Sequence, residues 1–165
     1  MNNLSLSPSI VINQLHKNEV THVVWLPDSE TNFMYENMVG DDSLDIVPIC
    51  REGEGLPIAL GLWIGGKKPV VMIQNTGLFE SGDSIRGLGI DLDIPMVMMI
   101  GYRGWTRHGE ITDSAAIYTE PILSAWGIKH YLIESDKDAD KITDAFSEAY
   151  DKNTLVACLM GSEYS

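Results

Sequence analysis

Two carboxylates, Glu52 and Glu54, stand two residues apart in Arg51-Glu52-Gly53-Glu54-Gly55. Paired carboxyls can divide acid and base work when their surroundings push their proton affinities apart. At the start of a helix the same acids simply complement the helix dipole. Three further polar, glycine-containing segments follow apolar runs: Leu26-Pro27-Asp28-Ser29-Glu30, Gln74-Asn75-Thr76-Gly77 and Gly101-Tyr102-Arg103-Gly104-Trp105, the last leading to Arg107 and His108. Tight turns need Gly, and helix starts favour Asp, Ser and Thr, so architecture alone accounts for much of this composition. Nucleotide fingerprints fail. Gly53-Glu54-Gly55-Leu56-Pro57-Ile58 lacks the third glycine and places an acid where a pyrophosphate would approach, and Gly65-Gly66-Lys67-Lys68 precedes a strand instead of following one. No HExxH, calcium loop or GxSxG elbow occurs. His108, Glu110 and Asp113 could together hold a metal, but they read better as a solvated polar loop. Trp105 lies in that loop, where an exposed ring would suit a ligand or partner.

These segments need elements to hold them. Ser7-Pro8 followed by Ile10, Val11 and Leu15 predicts a helix with a Ser cap and Pro in its first turn. Strand-like runs are Thr21–Leu26, Leu44–Cys50, Pro69–Ile73, Pro95–Ile100, Lys129–Ile133 and Thr154–Met160. Pro48 marks the second as bent or terminal, while the third and fourth are continuously apolar, as strands buried on both faces are. Between them the spacing predicts helices over Ser29–Val39, Glu52–Ile64, Leu78–Ile90, Ala115–Trp126 and Asp136–Lys152, the second closed by Gly65-Gly66. Six strands alternating with helices predict an α/β fold: a three-layer, doubly wound, mainly parallel sheet with helices on both faces. In such sheets ligands bind outside the carboxyl ends of the strands, where the polar segments above fall.

At 165 residues, 44% of them hydrophobic and 21% charged, the sequence is expected to form a single domain over 1–165 and not a disordered chain. Its net charge of −13 argues against nucleic acid or an anionic membrane as partner. Cys50 and Cys158 lack a CxxC spacing and read as buried, cytosolic thiols. No apolar stretch approaches the roughly 20 residues of a membrane span, and a cytoplasmic location is expected.

The stretch from Arg51 to Gly61, then Lys68-Pro69-Val70-Val71-Met72-Ile73-Gln74-Asn75-Thr76-Gly77-Leu78, resembles the pyrimidine-binding domain of thiamine-diphosphate enzymes. The order is acid, helix, Gly61 nine residues after Glu52, a turn, Pro, then a buried strand. Gln74 to Leu78, Gly101-Tyr102-Arg103-Gly104 and Leu26-Pro27-Asp28-Ser29 are most similar to sulfopyruvate and phosphonopyruvate decarboxylases. The resemblance runs from about the first helix to the last strand.

It implies that Glu52 touches N1′ of the cofactor's aminopyrimidine and promotes the imino tautomer that activates the thiazolium. Burial makes that proton exchange easier by raising a carboxyl's pKa. Pro27, Asp28, Gln74, Asn75, Thr76 and Gly77 would contact the cofactor or shape its pocket. Arg103, Arg107 and His108 are candidates for the substrate's acidic group, although capping or surface roles suit each equally. The Gly-Asp-Gly and Asn that hold Mg²⁺ and the diphosphate in this superfamily have no counterpart here; Gly40-Asp41-Asp42 and Gly82-Asp83-Ser84 do not fit. The resemblance therefore implies an alpha-type subunit that, with thiamine diphosphate and Mg²⁺, shares its active site with a beta-type diphosphate-binding chain. The expected reaction is decarboxylation of a small anionic 2-oxo acid. A carboligase subunit, or a non-catalytic domain that keeps the fold, remains open. Phe79-Glu80 stands where the family has Gly-Asn, and the loop after Gly104 lacks the acidic-Pro-Gln-His stretch of phosphonopyruvate decarboxylases, so the substrate is open too.

Overall fold

The computed structural model describes residues 5–107 and 110–161. Six strands, β1 (His22–Trp25), β2 (Asp45–Pro48), β3 (Pro69–Gln74), β4 (Met96–Gly101), β5 (Lys129–Ile133) and β6 (Leu155–Met160), form one sheet in the order β2-β1-β3-β4-β6-β5. Every neighbouring pair is parallel, so the expected mainly parallel sheet is wholly so. Parallel neighbours need long crossovers, and helices supply them. Helix α1 (Pro8–Lys17) precedes β1, α2 (Tyr35–Val39) leads to β2, α3 (Gly55–Ile64) to β3, and α4 (Asn75–Glu80) with α5 (Gly82–Ser84) and a π-helical turn at Ile85–Ile90 to β4. The remaining crossovers are α6 (Ser114–Ala125) and α7 (Asp140–Lys152).

The unbroken apolar runs are explained by two cores, one on each face. Val97 and Met99 of β4 face a cluster containing Leu15, Met38, Ile142 and Phe146, from α1, α2 and α7. Met98 and Ile100 face the opposite cluster, which contains Leu56, Leu78 and Leu123 from α3, α4 and α6. Strand β6 alternates likewise, Val156 and Cys158 to the first core and Ala157 and Leu159 to the second. Alternate side chains of a strand point to opposite faces, so both must be apolar here. Burying each large side chain contributes about 1.5–3 kcal/mol, which is why central strands tolerate no polar position before their ends. The two edges differ: β2 exposes Asp45 and Pro48, and β5 exposes Lys129.

Four sequence expectations are corrected. The helix expected over Ser29–Val39 is reduced to a 3₁₀ turn, Asn32–Met34, and α2. The Asp28 carboxylate holds residues 29–31 as a turn, accepting hydrogen bonds from the Glu30 and Thr31 amides (2.7 and 3.1 Å) and the Thr31 hydroxyl (2.6 Å). Trp25 Nε1 donates to that same hydroxyl at 2.9 Å, fixing the turn to β1. Second, the expected helix over Leu78–Ile90 begins earlier, at Asn75, and is broken after Glu80. Third, Ser7 makes no side-chain cap; its amide and hydroxyl donate to the Asp136 carboxylate (2.6 and 2.8 Å), tying the start of α1 to the turn before α7. Fourth, Cys50 is exposed, because it leaves the edge strand β2 toward solvent. Cys158 is buried in β6, and burial pushes its thiol up to about 12. No helix among the described residues is long and apolar enough to cross a membrane.

Candidate functional site

The chain winds outward from β1 to β2 and, in the other direction, from β3 to β4. The switch between these directions leaves a crevice at the carboxyl ends of β1 and β3, where open parallel sheets bind ligands. The register sets Gln74, Gly101 and Met160 in one row, so the segments after β3 and β4 start from a common rim.

Glu52 lies in a 3₁₀ turn, Glu52–Glu54, between β2 and α3. Its half-buried side chain runs across the backbone of Gly77 in α4. A β-carbon at Gly77 would lie 2.3 Å from Glu52 Cγ and 2.8 Å from Cδ, so only glycine leaves room for the carboxyl stem. Arg51 Nε donates to Glu80 Oε1, and the Gly53 amide donates to Glu80 Oε2 at 2.5 Å. Beside this contact is a cleft of about 280 Å³ lined by Arg51, Gly53, Glu54, Glu80, Asp83 and Ser84. Glu54 is exposed at the start of α3.

The four residues closing β3 divide into two kinds. Gln74, 8% exposed, accepts from Thr76 Oγ1 at 2.7 Å, and its amide reaches Ser29 Oγ at 3.5 Å across the switch point. Asn75 is fully buried and turned inward: its Nδ2 donates to the Arg103 carbonyl (3.0 Å) and to Thr119 Oγ1 (3.1 Å). It therefore pins α4 to α6 and to the loop after β4. Thr76 is exposed, and Gly77 is the seat of Glu52.

Pro27, Asp28, Ser29 and Asn32 line a second cleft of about 430 Å³. Asp28 spends its oxygens on the turn already described. Glu30, which the sequence reading did not single out, packs its β-carbon against Gly101. Burial raises its carboxyl pKa, as does the Asp28 charge, while a hydrogen bond from Ser29 and the Arg103 charge oppose the rise. An acid five residues past the end of β1 gives no sign in sequence of which way its side chain will fold.

Arg103 occupies a turn closed by the Trp105 amide bonding the Tyr102 carbonyl at 3.1 Å, with Gly104 at φ +83°. Its Nε pairs with Asp113 Oδ2 at 3.0 Å, and Asp113 also caps α6 through the Ala115 amide (2.9 Å). Half of the Arg103 side chain remains exposed. Arg107 is half-buried in the same loop, and His108 lies outside the described residues. Trp105 corrects the expectation of an exposed ring: it is half-buried, stacked on Tyr102 at 6.0 Å, and packed against the core that includes Leu159. Tyr102 donates to Glu120 Oε1 at 3.0 Å, and burial followed by that bond raises its hydroxyl pKa. Among the described residues no three His, Cys, Asp or Glu side chains are grouped to hold a metal.

A half-buried carboxyl held over glycine at a sheet rim can exchange a proton with a group brought against it. The fold is shared with solved structures that include one assigned to a thiamin diphosphate-dependent enzyme. It matches a Mycobacterium smegmatis protein assigned as a thiamin diphosphate-dependent enzyme (TM-score 0.67, 18% identity, 95% of this chain and 31% of that one). It also matches benzoylformate decarboxylase from Polynucleobacter necessarius (TM-score 0.76, 19% identity, 94% of this chain and 30% of that one). This chain thus spans about three-tenths of either structure.

Among curated proteins the similarity is to decarboxylases, some of them named as alpha subunits. Sulfopyruvate decarboxylase subunit alpha of Methanocaldococcus jannaschii is 26% identical over 157 residues, 93% of this chain and 92% of the relative. Phosphonopyruvate decarboxylase of Streptomyces viridochromogenes is 30% identical over 91 residues, 55% of this chain but 22% of the relative. No family model matches the chain.

Proposed function

We propose that this chain is a single pyrimidine-binding domain serving as the alpha-type subunit of a thiamine-diphosphate-dependent decarboxylase. Its substrate would be a small anionic 2-oxo acid of the sulfopyruvate or phosphonopyruvate kind. A separate beta-type chain would bind the diphosphate and Mg²⁺. The observation that carries the reading is the seating of the Glu52 carboxyl over Gly77 at the rim of the sheet. Similarity along 92% of a relative named as an alpha subunit supports the division of labour between two chains.

When bound, thiamine diphosphate supplies a thiazolium that serves as electron sink for loss of CO₂. Glu52 would hold a proton against the pyrimidine nitrogen and pass it reversibly, with Gly77 fixing where the carboxyl stands. Gln74, oriented by Thr76 and Ser29, would shape the wall of the crevice. Arg103, held by Asp113 at one nitrogen, would turn its remaining donors toward the substrate's acidic group.

The test mixes this chain with a beta-type subunit, thiamine diphosphate, Mg²⁺ and sulfopyruvate or phosphonopyruvate, and measures CO₂. Turnover is expected from the mixture and from neither chain alone. Glu52→Gln should lower kcat by about 10²-fold to 10⁴-fold with unchanged circular dichroism. Full turnover by Glu52→Gln would overturn the assignment.

A further inference from the structure

The 3₁₀ turn carrying Glu52 and helix α4 hold each other through two crossed contacts. The turn lays Glu52 across Gly77 of α4, and α4 lays Glu80 across Gly53 of the turn. A β-carbon at Gly53 would lie 2.9 Å from Glu80 Oε2, just as one at Gly77 would lie 2.3 Å from Glu52 Cγ. The Glu80 carboxylate is divided between the two neighbours of Glu52: Oε1 takes Arg51 Nε and Oε2 takes the Gly53 amide. Charge-assisted bonds of this kind are the strong ones, and a bidentate pattern fixes direction as well as distance.

We propose that Glu80 is a positioning residue for Glu52. By gripping residues 51 and 53 together, it removes the freedom of the turn to swing and sets the direction in which the Glu52 carboxyl leaves it. Glu80 itself reaches no reacting atom. Its other consequence is local charge: Arg51 pairs with it, so the Glu80 carboxylate is not left unpaired beside Glu52. The two contacts differ in strictness: a β-carbon at Gly77 meets the Glu52 stem, whereas one at Gly53 meets only the tip of Glu80, which can shift. The effect on turnover rests on the function proposed above, whereas the clamp itself does not.

The experiment separates the two. In the full chain, amide hydrogen exchange at Gly53 is followed by NMR in wild type, Glu80→Ala and Glu80→Gln. Loss of one charge-assisted bond should speed Gly53 exchange about tenfold in Glu80→Ala, and Glu80→Gln, which keeps an acceptor, should restore part of the protection. Amides of β3 and β4 should be unchanged. In the reconstituted complex, Glu80→Ala should lower kcat about tenfold to a hundredfold with substrate KM within about twofold, the pattern of a misplaced catalytic group, and Glu80→Gln should recover part of it. Unchanged Gly53 exchange in Glu80→Ala overturns the clamp. Faster exchange with undiminished kcat, in a complex that Glu52→Gln disables, overturns the positioning role alone. A wild-type complex without turnover overturns the proposed function and the positioning role with it, while the exchange data still decide the clamp.

Discussion

At the scale of single residues, the site depends on where carboxyls are allowed to lie. Glu52 can lie over α4 only because Gly77 has no side chain. Gly77→Ala should therefore cost about 1–3 kcal/mol in overpacking and displace Glu52. Urea unfolding would measure the first effect, and loss of the close contacts between the Glu52 side chain and residue 77, read by NMR, the second. Glu30 makes a different prediction. Its folded pKa is raised above 4.5, so the folded state binds its proton more tightly than the unfolded state does. Stability from this group is present below 4.5 and is lost as pH rises through the raised value. Glu30→Gln should thus gain stability relative to wild type as pH climbs above 4.5, measured by urea unfolding at stepped pH. A difference independent of pH would show that Glu30 is not desolvated in solution.

At the scale of elements, Asn75 joins three pieces of the rim. Its amide ties α4 to the Arg103 carbonyl and to Thr119 of α6. Asn75→Ala should lower stability by about 1–3 kcal/mol by leaving buried partners unpaired, readable in the urea midpoint with an unchanged slope. The same elements show what the sequence could and could not reveal. Strands β3, β4 and β6 were legible because a strand covered on both faces must be apolar throughout. Helix α7 was legible through Ile142, Ala145, Phe146 and Ala149, which share one buried stripe. The break after Glu80 and the shortening of the helix before β2 were not. Asp28 bonds amides two and three residues on, a local turn that its residue type does not distinguish from a helix start, whereas Glu80 meets Gly53, a partner that only the folded chain brings near. The pairing of Glu52 with Gly77 and the inward turn of Asn75 were hidden for the same reason. Family resemblance named these residues, but their contacts are tertiary. Glu30 and Glu80 carried no local signal at all.

At the scale of the whole molecule, the net charge of −13 repels polyanions but does not forbid a small anionic substrate, because Arg103 and Arg107 stand in the loop after β4 at the rim. Steering of that substrate should be weak and local. Charge reversal at exposed acids remote from the rim, such as Asp151→Lys, should change substrate KM less than twofold or so even at low salt, whereas Arg103→Ala should raise it several-fold, the salt dependence of the reconstituted complex being the check. The two margins of the sheet set a further condition. One ends in Pro48, which offers no N–H to a neighbouring strand, and the other begins at exposed Lys129, whose ammonium, paired with Glu148, would lose solvent beneath an added strand. Sideways growth of the sheet is thereby discouraged at both ends. What remains open to a companion chain is the helical faces and the strand ends, the rim that carries Glu52 among them.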